Sequence, residues 1–68
     1  METIVVINAG RYAARDGLPR IAPETIEYPC HDYVTKLVTH YDTAHLDRRM
    51  QQYWLSGYDL WAKIALSK

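Results

Sequence analysis

The chain predicts a small, helix-dominated α+β domain, and three observations carry that prediction. Thr3-Ile4-Val5-Val6-Ile7 is β-branched throughout, the strongest strand signal present. Leu46 to Leu66 reads as one long helix that is apolar over most of its circumference. Between them, Tyr33, Val34, Leu37, Val38 and Tyr41 recur at helical spacing after Asp32, a good N-cap residue. The predicted architecture is therefore a single domain over 1–68: a strand at about 3–7 paired with a short strand at about 25–28, then helices at about 32–41 and 43–66.

Ala9 to Arg15 suits about two helical turns, with Gly17 placed as a C′ glycine and Pro19 just beyond it. An irregular loop is the alternative. Leu18 to Glu24 contains Pro19 and Pro23 and reads as a connector. Thr25-Ile26-Glu27-Tyr28 alternates polar and apolar, as a half-buried strand does, and Pro29 is expected to stop it. Asp42 or Thr43 is the expected cap of the last helix. Laid out at about 100° per residue, that helix puts Leu46, Met50, Tyr53, Gly57, Leu60, Trp61 and Ile64 on one stripe. Arg48, Gln52, Ser56, Asp59 and Lys63 form the polar back, with Asp59 and Lys63 spaced for an ion pair. Leu55, Tyr58, Ala62 and Leu66 extend the apolar surface past the stripe, and Trp54 lies at its edge.

Size sets the energetic problem. A chain of roughly 60 residues buries only about 60% of the surface its unfolded form exposes, so domains this small usually need a staple. The single cysteine, Cys30, cannot pair within the chain. One thiol and no secretory leader fit a reducing cytoplasm, and the apolar run at Ile4–Ile7 is too short to span a membrane. Eight Lys and Arg balance eight Asp and Glu, so there is no basic surplus for nucleic-acid phosphates and no acidic surplus for mimicking DNA.

Residues with chemical potential fall short of recognisable sites. Cys30, His31, His40 and His45 are zinc-capable, and His40 and His45 fit the spacing of half a zinc finger, but the C-x2–4-C half is missing. Ordinary surface histidines and a small buried thiol account for them, so no metal site and no cofactor is assigned. Cys30 with a histidine lacks an orienting third group for nucleophilic catalysis. The paired acids (Glu24 and Glu27, or Asp42 and Asp47) read as solvated carboxylates. Gly10 and Gly17 match no phosphate-binding loop. No catalytic residue is assigned and enzymatic activity is not expected. Gly57, mid-stripe, costs a helix roughly 1 kcal/mol relative to Ala. It marks either the close approach of a partner or a packing notch within the chain.

Two segments resemble the ribosome modulation factor family and its short phage and mobile-element relatives. Ala9-Gly10-Arg11-Tyr12-Ala13-Ala14-Arg15-Asp16-Gly17-Leu18-Pro19-Arg20 is similar to their first helix and following turn, and Trp54-Leu55-Ser56-Gly57-Tyr58 resembles their Trp-Leu-x-Gly-aromatic element. The chain departs from the family in its long insertion between these segments, its N-terminal Thr3–Ile7 run and its lack of basic charge. The resemblance implies a two-helix heart and an RNA- or ribosome-facing role through Arg11, Arg15, Arg20 and Arg49.

The residues themselves favour a different class: a non-enzymatic cytoplasmic binding protein that modulates or inhibits a larger macromolecular machine by protein–protein contact. Phage anti-defence inhibitors are one such type. The surplus of apolar helix surface calls for a protein partner or a second copy, with Trp54, Leu55, Tyr58 and Ala62 as the expected docking residues. Nucleic acid is the less favoured partner, and no membrane is involved.

Overall fold

The computed structural model describes residues 2–66, and within them the α+β class is borne out. The order is helix α1 (Thr3–Arg15), strand β1 (Thr25–His31), strand β2 (Val38–His45) and helix α2 (Arg48–Leu66). Helices of 13 and 19 residues outweigh strands of 7 and 8. The strands form one antiparallel hairpin, and the two helices pack on each other. Gly10 meets the Trp54 carbonyl and Gly57 meets the Ile7 carbonyl, so the helices run antiparallel.

Several element predictions are corrected. Thr3–Ile7 is the first half of α1, not a strand. β-branching lowers helix propensity only slightly, and burial decides the matter. Val6, Gly10 and Ala13 recur at helical spacing and form the buried face of α1. The short partner strand does exist at Thr25–Tyr28, but its mate is β2, with Ile26 opposite Ala44 and Tyr28 opposite Asp42. It also runs through Pro29. A two-stranded sheet leaves each strand one free edge, and a residue without an N–H fits where its nitrogen faces that edge.

The helix expected over 32–41 is a turn followed by β2. Asp32 does act as a cap, accepting from the Val34 and Thr35 amides at 3.0 and 2.8 Å. The helical turn then stops, because Lys36 enters the left-handed region at φ 63° and the Asp32 amide donates to the Leu37 carbonyl. Val34, Thr35, Val38 and Thr39 make this stretch poor in helix formers, and no neighbouring element covers a helical face here. β2 consequently takes Thr43 to His45, and α2 starts at Arg48 rather than Thr43. Its cap is Asp47, whose carboxylate accepts from the Met50 amide at 2.9 Å.

The end of α1 follows the helical expectation. Gly17 has φ 77°, the Leu18 amide donates to Ala13 and the Gly17 amide to Ala14, which together form a Schellman cap. The connector that follows is strapped across α2. The Tyr58 hydroxyl donates to the Leu18 carbonyl at 2.5 Å, Arg20 grips Asp59 through two bonds of 2.7 and 2.8 Å, and Gln51 donates to the Pro23 carbonyl at 3.1 Å. Val6, Ala13, Ile26, Leu46 and Trp54 make the core. Ile26, Ala44 and Leu46 bring the base of the hairpin onto that core, while the rest of the hairpin extends past it.

Candidate functional site

The helix proposed as the docking element keeps much of its aromatic surface for itself. Trp54 is only 5% exposed and stacks on Tyr58, ring centroids 5.6 Å apart. Leu55 and Tyr58 are half-buried against the core, and Ala62 is half-buried. Trp54 is therefore a core residue, not a surface anchor. The buried seam of α2 runs through Trp54 and Gly57, rotated from the expected stripe, which leaves Leu60 and Ile64 half-exposed. Gly57 is a packing notch within the chain: an added Cβ would strike the Ile7 backbone. Apolar surplus does persist at the C-terminal end of α2, where Leu66 is open as well.

Among the described residues a second group of open apolar side chains lies at the tip of the hairpin. Tyr33 is 93%, Val34 88% and Leu37 69% exposed, with Val38 and Tyr41 also open along β2. These are the residues whose spacing suggested a helix face; Tyr33, Val34 and Leu37 lie in the turn and Val38 and Tyr41 in β2, all open to solvent. The tip holds its shape through Asp32. Hydrogen bonds from the Thr35 and Val34 amides keep the Asp32 carboxylate ionised below its ordinary range, with the Thr35 amide the larger influence.

Midway along the hairpin is a polar cluster. Cys30 and His40 are register partners, and Asp42 stands two residues further along the same face of β2. The Cys30 thiol donates to Asp42 Oδ2 at 3.2 Å, and His40 Nε2 lies 3.5 Å from Asp42 Oδ1. The bond to Asp42 raises the thiol's pKa, assisted by desolvation. His31 and His45, grouped with these residues in the sequence, do not join them. His45 is an odd number of positions from His40 and so faces the other side of β2, and His31 follows Cys30 onto the other side of β1. Asp42 is the member the sequence did not suggest; the signal would have been its i+2 relation to His40 on a strand.

The four arginines of the RNA-facing expectation divide. Arg20 is committed to Asp59, and that contact raises its pKa through the paired hydrogen bonds first and charge second. Arg15 lies over the Tyr12 ring at 4.7 Å and Arg49 near Tyr53 at 5.9 Å, while Arg11 contacts Asn8. A groove of about 300 Å³ separates α1 from β1, with Val5, Ala9 and Tyr12 on one wall and Ile26, Tyr28 and Pro29 on the other. Glu27 is the single charged residue of its lining. Among the described residues no helix is long and apolar enough to cross a membrane. No protein-family model, no curated protein and no solved structure matches this chain.

Proposed function

We propose that this protein is a non-enzymatic cytoplasmic binding module that modulates a larger assembly by protein–protein contact, presenting the tip of its hairpin rather than the middle of α2. The observation that carries this reading is the outward display of Tyr33, Val34 and Leu37 on a turn whose shape is already set by Asp32 and Lys36. A preformed apolar tip loses little conformational entropy on docking, and tyrosine is a common interface hot spot. The partner this fits is a protein with an apolar cleft. Leu60, Ile64 and Leu66 supply a second apolar patch suited to a further contact or to a second copy. The formal charge of zero supplies no overall basic surplus for nucleic-acid phosphates.

The test is capture on the immobilised full chain with washes of rising salt. A protein retained at high salt by the parent, and lost from Val34→Asp with Leu37→Asp at unchanged circular dichroism, is the expected result. Equal retention by the double variant overturns the tip as the docking surface. Elution at moderate salt with nucleic acid favours instead a ribosome- or RNA-facing role through the exposed Arg11, Arg15 and Arg49.

A further inference from the structure

We propose that Cys30 Sγ, His40 Nε2 and the Asp42 carboxylate together bind one divalent transition-metal ion of the zinc class, leaving a fourth position open to water or to an outside donor atom. The site stands independently of the docking reading above.

Geometry comes first. The three donor groups lie within 4.8 Å of one another, and two of the separations are 3.2 and 3.5 Å. Tetrahedral zinc with bonds of about 2.0–2.3 Å holds its ligand atoms roughly 3.5 Å apart. Small side-chain adjustments therefore bring all three to coordination distance. Two antiparallel strands fix their relative positions through backbone pairing, Cys30 directly opposite His40.

The tautomer of His40 is the second argument. The register slips between Cys30 and His31, so that His31 pairs with Val38 and Thr39 is the extra residue of a bulge. The Thr39 hydroxyl donates its one proton to the Cys30 carbonyl at 3.0 Å. It lies 3.0 Å from His40 Nδ1 as well, and with its proton committed it can only accept there. That contact suits the tautomer with its hydrogen on Nδ1, the one that leaves Nε2 able to take up a metal ion. Metal-bound histidines commonly have their other ring nitrogen anchored in this way.

Charge and donor type select the metal. A thiolate and a carboxylate neutralise a dication, and the sulfur and imidazole donors favour zinc-like ions over calcium or magnesium. Binding replaces the thiol proton: the S–H bond breaks, a sulfur–metal bond forms, and one proton per ion passes to solvent. The ion would tie β1 to β2 in a chain whose single cysteine allows no internal disulfide.

Cobalt(II) titrated into the reduced full-length protein tests this. The expected result is a thiolate-to-cobalt charge-transfer band that saturates at one ion per chain, is displaced by zinc, and is lost in Cys30→Ser. His40→Ala and Asp42→Asn each weaken binding by about tenfold or more, and Thr39→Val by about tenfold, while His31→Ala and His45→Ala bind as the parent does. The side chains of His40 and Asp42 are 59% and 51% exposed, so their variants keep the fold. Zinc should also raise the melting temperature of the parent but not of His40→Ala. Parent-like binding by His40→Ala or Asp42→Asn, or saturation at one ion per two chains, overturns the site.

Discussion

Gly10 and Trp54 meet backbone to backbone: the α-carbon of the glycine lies against the tryptophan carbonyl, and an added Cβ would also come within 3.0 Å of the Tyr58 amide nitrogen. Gly57 repeats the arrangement against Ile7 one turn along. Two helices approach this closely only where the residue facing the other backbone carries no side chain. The helix-propensity cost of two interior glycines is thus exchanged for a tight seam around Val6 and Trp54.

Alanine at either glycine should therefore destabilise the protein, although alanine is the better helix former. Its intrinsic gain of roughly 1 kcal/mol is smaller than the cost of forcing two backbones apart, and a net loss of about 1–3 kcal/mol is expected. Urea unfolding checks this. Gly57→Ala with unchanged or raised stability would show that the helices are not in close contact.

Trp54→Ala should cost about 3–5 kcal/mol and in a domain this small abolish cooperative unfolding. Leu60→Ser, at a half-exposed position, should stay within about 0.5 kcal/mol of the parent. The contrast, read by thermal melts, distinguishes core from surface along one helix. Tyr58→Phe should fall between them, since it removes the hydroxyl that donates to Leu18.

Lys36 occupies a backbone conformation that a side chain disfavours. Lys36→Gly should stabilise the hairpin by up to about 1 kcal/mol, and Lys36→Val should destabilise it. Chemical shifts of Asp32 to Val38 would report the turn directly. A destabilised Lys36→Gly variant would mean that the lysine side chain itself supports the tip.

Acid should lower the protein's stability in part through two exposed carboxylates. Arg20 holds Asp59 below its ordinary value, chiefly by hydrogen bonding, and turn amides do the same for Asp32. Each folded-state pKa is depressed, so the unfolded chain takes up the proton more readily. The stabilisation is then complete above the unfolded value of 3.8 and is lost as pH falls below it toward the folded values. Asp59→Asn should lower stability at neutral pH and flatten the decline at acid pH. An unaltered acid limb in that variant would remove the Arg20–Asp59 pair as a contributor.

What could be read from the residues alone was whatever depends on near neighbours. The glycine cap after α1, the connector beyond it, the strand from Thr25, the capping role of Asp32 and the helical character of the C-terminal third all rest on interactions spanning a few positions. Tertiary structure decided the rest. Thr3–Ile7 is helical because Val6 and Gly10 face α2, and Val34 to Tyr41 forms a turn and strand because nothing stands above them to bury a helical face. The same long-range packing drew Trp54 inward, joined Asp42 to Cys30 and His40, and gave Arg20 to Asp59. Helix and strand propensities differ by less than about 1 kcal/mol per residue for such sequences, whereas burying one large apolar side chain is worth about 1.5–3 kcal/mol. The partner across the core therefore outweighs the local preference.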